Sequence, residues 1–335
     1  MTKWRNLITD ISGIRVGNAH DDALMSGVTA ILFDGPTIAS CVTRGGAPGG
    51  RDTGLLEPEM TVPGVHAVVL SGGSAFGLDA AGGVSGLLRQ QGIGLAIGPA
   101  LVPITVQAIM FDLLNGGDKN WGRMPPYWEL GWQAAASARD GTFDLGSVGG
   151  GFGATTSNLR GGLGSASART TSGYHVGAIV LVNAVGSVTV GDGPEFWAAP
   201  YEVDGEFGAL GFPATMPAGA LRLRMKGRLP PSTTIALVTT DAILTKPHAK
   251  RIAIMADDGL AKAIRPAHAP MDGDTVFAVS TLSKPLVNEA QDLTEIGITA
   301  ADCLTRAIAR GVYEAAAAPS GWAGPPAHRE RFPRR

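Results

Sequence analysis

Short apolar runs bounded by glycine, proline or aspartate recur along the chain, with stretches of helical period between them. Clusters at 28–33 (VTAILF), 65–70 (VHAVVL), 93–97 (IGLAI), 176–190 (VGAIVLVNAVGSVTV), 234–239 (TIALVT) and 275–280 (TVFAVS) predict strands. The clearest helix starts at Thr245 as N-cap with Pro247 in its first turn. Ile252, Met255, Ala256, Gly259, Leu260, Ala263 and Ile264 then recur on one stripe. Further helices are expected at 76–90, 103–115, 127–138 and 299–317. Long helices covering strands buried on both faces make an α/β protein. The segments 116–126 and 191–231 lack periodicity and read as loops, the second ending in RLPPS, which is expected to be extended and exposed because residues before proline avoid the helical region. The Pro-rich, basic stretch 318–335 is expected to be a disordered tail.

Composition narrows the class. A chain of 335 residues, 44% hydrophobic and without an evident linker, supports one compact catalytic domain over 1–317. The 48 glycines are about twice the usual share of roughly 7% and follow no repeat, so they mark tight turns and close backbone packing. The formal charge is −2 and the basic residues are scattered, which argues against nucleic-acid and anionic-membrane partners. No long apolar run suggests a signal peptide or a membrane span, so a soluble, cytoplasmic protein is expected. Cys41 and Cys303, far apart in apolar settings, read as buried thiols.

Several motif matches weaken on inspection. GGGFGA at 149–154 satisfies the loosest dinucleotide fingerprint, but TTSNLRGGLG follows it where a helix should. Ser74 in GGSAFG fails the nucleophile-elbow pattern because Phe76 stands where the second glycine belongs. The six histidines are isolated, without HExxH or Cys/His ligand spacing, and read as surface or capping residues. Neither a cofactor nor a metal is expected.

Hydroxyl nucleophiles remain, without an obvious histidine base. A threonine at a chain terminus solves this, because its α-amino group, with a pKa near roughly 7.7–8.0, is substantially neutral at cellular pH. Thr233 heads the run TTIALVTTDA and would become such a terminus if the Ser232–Thr233 bond were cut. Asp272 and Asp274, two residues apart ahead of TVFAV, could orient the freed amine, and Gly273 between them would allow close backbone approach. The same DGD also reads as a plain turn whose aspartates cap backbone amides. On residue chemistry alone both readings stand.

The order of LSGGSAFGLDAAGGVSGLL, VPITVQAIMFDL, GGGFGATTSNLRGGLGSAS, VNAVGSV, STTIALVTTDA and MDGDTVFAV resembles the L-aminopeptidase/D-esterase family, also called β-peptidyl aminopeptidases, whose members include nylon-oligomer endo-hydrolases. The likeness runs over nearly the whole chain except its tail. It implies a four-layer αββα sandwich of N-terminal-nucleophile type with its own connectivity, self-cleaved into 1–232 and 233–335 and assembled as a homotetramer. It further implies Thr233 as nucleophile and base, Asn183 in VNAVG as oxyanion donor, and Asp272, 39 residues after Thr233, with Asp274 as supporting carboxylates. Three positions depart from the family pattern. Ser232 precedes the nucleophile where Asn or Gly is frequent, Phe111 stands where some members carry a tyrosine, and Asn158 stands where relatives often carry a lysine, with Arg160 nearby.

The implied activity is amide hydrolysis through an acyl-enzyme, on short peptides, amino acid amides or nylon-type ω-amino acid oligomers. Two alternatives remain: an acyltransferase of the ornithine acetyltransferase type, and a non-catalytic glycine-rich binding protein.

Overall fold

The computed structural model describes residues 4–227 and 232–333. In chain order its elements are β1 (Ile14–Asp21), β2 (Ser26–Thr43), β3 (Gly50–Arg51), β4 (Val65–Ser71), α1 (Ala80–Gln90), β5 (Leu95–Ile97), β6 (Ala100–Val102), β7 (Thr105–Ile109), α2 (Tyr127–Ala136), β8 (Gly162–Arg169), β9 (His175–Asn183), β10 (Thr233–Ala242), α3 (Lys246–Ala263), β11 (Thr275–Lys284), α4 (Glu289–Tyr313) and α5 (His328–Arg331).

One long strand organises the rest. β2 pairs through Val28–Leu32 with β4 and along its first half with β1; after a register shift its second half, Ile38 to Thr43, pairs with β11. The strand order is β3-β7-β4-β2-β11-β10-β9-β8, with β1 added on β2 and parallel pairs only at β4–β7 and β10–β11. Alternating side chains make the two halves of this sheet face each other. Ile31, Phe33, Val68, Leu70 and Val106 of one half meet Ile179, Leu181, Ile235, Leu237 and Phe277 of the other in an inner core. The outward residues Val28, Ala30 and Val69 pack under α1 and α2. Val180, Ala236, Val238 and Val276 pack under α3 and α4. The result is the expected four-layer αββα sandwich. Among the described residues no helix is long and apolar enough to cross a membrane.

The α3 stripe behaves as its period predicts: Thr245 accepts a hydrogen bond from His248 N at 3.3 Å, and Ile252, Ala256 and Leu260 are buried. Four expectations need correction. The 103–115 segment holds the strand β7 at Thr105–Ile109 and no helix; TVQAI is buried at every position, and a short run buried on both faces carries no period to separate helix from strand. The 176–190 run does not continue as one strand, because β9 ends at Asn183 and the chain turns away, with Ser187 bridging Arg265 and Thr189 bridging Phe196. The 93–97 strand forms over Leu95–Ile97 and pairs with β6 in a separate hairpin.

The third correction concerns the tail. Residues 318–333 are folded against the body: Arg160 stacks on Trp322, Gly116 bridges Trp322, and His328 is buried in α5 against Phe196. Aromatic and carbonyl partners elsewhere in the chain, invisible to local periodicity, supply what the tail lacks by itself. Of RLPPS, residues 228–231 lie outside the described residues, and Ser232 is fully buried rather than exposed.

β8 carries little sequence signal for a related reason. GLGSASAR has almost no apolar signal, because α4 lies directly against it: a Cβ on Gly164 would sit 1.8 Å from the Ala307 carbonyl oxygen. Small residues there are the packing surface.

Candidate active site

Thr233 is the first residue of β10, and Asn183, the last of β9, lies directly opposite it in the antiparallel pair. Both fall on the alternation that puts Ile235, Leu237, Ile179 and Leu181 into the inner core. Their side chains therefore share one face, at the rim of the space between the sheets. On the other side of Thr233 runs the chain into β11, where Ser232 forms a parallel bridge with Asp272.

The bond before Thr233 is held tightly. The Thr233 hydroxyl donates to the Ser232 carbonyl oxygen at 2.5 Å, and the Gly273 N–H donates to the same oxygen at 2.9 Å. Thr233 and Ser232 are both buried. Gly273 is required by the spacing, since a Cβ there would lie 2.8 Å from Thr233 Oγ1 and 2.9 Å from the Ala47 carbonyl oxygen.

Asp272 and Asp274 divide their tasks. Asp274 Oδ1 accepts from Thr234 N at 2.7 Å, while its Oδ2 accepts from His268 N at 3.0 Å and faces His268 Nδ1 at 2.9 Å. Asp272 Oδ2 accepts from Ala269 N at 3.1 Å, and Asp272 Oδ1 is buried without a partner. Amide capping thus describes three of the four oxygens, and the fourth is left for chemistry. Burial, then the neighbouring Asp274, push the Asp272 carboxyl up from its usual range.

His268, read from sequence as a surface or capping residue, belongs to this cluster. It bridges Asp274 and Asp257, whose Oδ2 is 3.3 Å from Nε2. Burial favours the neutral ring, yet hydrogen bonds and charge from Asp257 and Asp274 outweigh it and raise the imidazole to about 10.

Asn183 is fully buried and fixed from both ends. Its Oδ1 accepts from Lys226 Nζ at 2.9 Å and from Thr155 N at 3.0 Å; its Nδ2 donates to the Phe111 carbonyl oxygen at 2.9 Å, leaving a second amide hydrogen. Phe111 therefore acts through its backbone. Asn158 does not reach this group: it bonds Thr189 at 3.2 Å and lies beside Ser187 and Thr156. Arg160 is also directed elsewhere, to the carbonyls of Phe152, Ala316 and Ala317. The lysine amine that meets Asn183 is that of Lys226, seven residues before Thr233 in a loop without periodicity. Burial lowers Lys226 to about 7, against the opposing pull of Asp272, Asp112 and Asp274. Its place as the sole lysine of the 191–232 stretch was the one available signal.

Lys226 opens onto a cavity of about 430 Å³, lined also by Phe111, Asp112, Asn115, Thr155 and Pro325. Of the glycines in 149–154, Gly153 lines this cavity, whereas Gly150 and Gly151 are packed: Cβ atoms there would strike Leu181 Cδ1 at 2.4 Å and Leu163 N at 2.1 Å. Gly150 and Gly151 are spacers beneath the sheet. Among the described residues no group of three His, Cys, Asp or Glu side chains is placed to hold a metal ion.

Known proteins agree with this architecture. Chains of 20% sequence identity superpose on it nearly end to end. A beta-aminopeptidase of Burkholderia sp. gives a TM-score of 0.71, covering 100% of this chain and 96% of that one. The L-aminopeptidase D-Ala-esterase/amidase of Ochrobactrum anthropi, described as a variant of the Ntn-hydrolase fold, gives 0.69, covering 98% and 92%. In sequence, an uncharacterized aminopeptidase of Mycobacterium tuberculosis H37Rv is 40% identical over 349 residues, covering 98% of each chain. A 6-aminohexanoate-oligomer endohydrolase of Kocuria sp. is 27% identical over 81% of this chain and 74% of that one. Residues 6–322 match the profile of Peptidase family S58. The chain belongs to peptidase family S58 and is an amide-bond hydrolase.

Proposed function

We propose that this chain cuts itself at Ser232–Thr233 and then hydrolyses small amides through the freed threonine. The observation that carries the reading is the shared carbonyl: the Thr233 hydroxyl and the Gly273 N–H both bond to the Ser232 oxygen. Nucleophile, target and a donor for the developing oxyanion are then already assembled. Thr233 Oγ1 attacks the Ser232 carbonyl carbon, the C–N bond breaks as the nitrogen gains the hydroxyl proton, and water hydrolyses the resulting ester. Ser232 ends as a carboxylate and Thr233 as a free amino terminus.

In the mature site the α-amine removes the Oγ1 proton as the hydroxyl attacks a substrate amide. The free amide hydrogen of Asn183 meets the oxyanion, a contribution worth about 3–4 kcal/mol when comparable donors are removed. The proton passes to the leaving amine, and water releases the acyl group. Asp272, with its unpartnered Oδ1, balances the ammonium, and Asp274 holds the Thr234 amide and thereby the start of β10. Lys226 is a positioning residue that fixes the Asn183 carbonyl oxygen. Short peptides or amides with a free amino end are the proposed substrates, ω-amino acid oligomers included, supported by the names of the relatives. Association of protomers is proposed as well, supported by the exposure of Leu210, Phe212, Leu221 and Leu223 in one loop.

Intact mass with N-terminal sequencing tests the reading. A fragment beginning TTIALV is expected from the wild type and none from Thr233→Ala, with amide hydrolysis lost in parallel. A wild type that stays full length after long incubation while hydrolysing amides would overturn it. Product formation with water as the only acceptor separates hydrolysis from acyl transfer.

A further inference from the structure

We propose that the cavity beside Asn183, whose lining residues Lys226, Thr155 and Phe111 hold that side chain, receives the substrate and that residues 319–327 form a strap closing one end of it, so that the enzyme removes units from a substrate terminus and cannot bind mid-chain. The inference rests on the reading that Thr233 attacks the amide. It concerns a segment that the sequence alone presents as a loose tail.

The strap is built and anchored on both sides. Arg160 is fully buried beneath it; its Nη1 donates to Ala316 O at 3.0 Å and Ala317 O at 2.9 Å, and its guanidinium lies 4.4 Å from the Trp322 ring centroid. The Arg160 N–H donates to Pro326 O at 2.8 Å. Trp322 Nε1 donates to Pro325 O at 2.9 Å, curling the segment on itself, and Ala323 N donates to Asn115 O at 2.9 Å. Beyond the wall, His328 stacks on Phe196 at 4.8 Å and its Nε2 lies 2.9 Å from Pro194 O.

Between these anchors Ala323, Gly324 and Pro325 form the cavity wall shared with Phe111, Asn115 and Lys226. At about 430 Å³ the cavity is near the small end for ligand sites. A polymer segment that continues in both directions has no way through such a wall, whereas a chain end fits against it. The same geometry makes the strap a size filter, because the exposed Ala323 is the position from which added bulk would enter the cavity without breaking a bond of the strap.

Two full-length variants test this, with a linear hexamer of 6-aminohexanoate as probe and mass spectrometry of products with time. The wild type is expected to release terminal units first. Trp322→Ala removes the Arg160 stack and the bond to Pro325, and is expected to add internal-cleavage fragments while still yielding the TTIALV fragment. Ala323→Phe is expected to slow terminal release about tenfold, in the range set by one excess group in a pocket, with self-cleavage and melting temperature unchanged. Internal fragments as the main wild-type product, or an unchanged pattern in both folded variants, overturn the strap's role and leave the nucleophile assignment intact. If Trp322→Ala unfolds, Ala323→Phe alone decides by its rate. Absence of the TTIALV fragment from active wild type overturns the nucleophile reading instead, and the strap's role with it.

Discussion

The strand ends and the loops around Thr233 build the same site by different means. Thr233 and Asn183 face each other because β9 and β10 pair through eight successive positions, so their separation is set by backbone ladders along the whole sheet. Lys226, His268, Asp272 and Asp274 come from segments outside the strands, and each is held by side-chain hydrogen bonds to one or two neighbours. The ladder tolerates local change because many bonds share the load. The loop groups do not, since removing one partner strands a buried polar atom, at about 1–3 kcal/mol. On the proposed mechanism, attack geometry therefore belongs to the sheet, and charge balance belongs to the loops.

Gly273 is where the two meet, and changing it is expected to have the largest effect. In Gly273→Ala the new Cβ would press on the Ala47 carbonyl, which cannot retreat without shifting backbone, and on Thr233 Oγ1, which would have to rotate away. Overpacking of this kind costs about 1–3 kcal/mol of stability. The displaced hydroxyl should slow appearance of the TTIALV fragment by roughly 100-fold, as a misplacement near 1 Å does elsewhere. A time course of band conversion on denaturing gels measures it. Unaltered conversion would mean that the hydroxyl is not positioned by this contact.

A smaller effect is expected from Lys226→Met, which tests the loop side. Asn183 keeps its bond from Thr155 N but loses Nζ, so turnover of processed enzyme should fall about tenfold, the equivalent of one hydrogen bond to a charged group. The fall should appear in kcat with KM little changed. Because burial brings Lys226 to about 7, its titration contributes a limb to the pH–rate profile there, which the Met variant should lack. Lys226→Arg should not restore that limb, since guanidinium stays charged at any accessible pH. Profiles of kcat against pH for the three proteins decide the matter.

This division also explains what was legible in the sequence. Thr233, Asn183 and the DGD turn sit at the ends of strands whose β-branched runs announce themselves, and family likeness assigned them roles. The α3 stripe and the layer architecture follow from the same periodicity. β8 was hidden because its small residues serve a neighbouring helix, and β7 because burial on both faces erases alternation. Lys226, His268 and the strap could not be read, since each acquires meaning only from a partner far along the chain: Asn183 lies 43 residues before Lys226, and Trp322 meets Arg160 across half the molecule. Asn158, where the resemblance implies a lysine, bonds Thr189 instead of Asn183, and the lysine beside Asn183 is Lys226.

The smallest expected effect sharpens the comparison by reading a loop contact as stability alone. His268 carries charge between Asp257 and Asp274, and its folded value of about 10 stands above the unfolded value near 6.5. A group raised on folding contributes stability that is complete below the unfolded value and is lost as pH climbs through the folded one. The wild type should therefore lose stability between about pH 6.5 and 10 relative to His268→Gln, by about 1 kcal/mol because the ring is partly exposed to solvent. Urea midpoints of both proteins at pH 6, 8 and 10.5 measure the difference. The two curves should converge at the alkaline end. If they stay parallel instead, the imidazole is neutral, and Asp274 holds the start of β10 through its two backbone amides without help from charge.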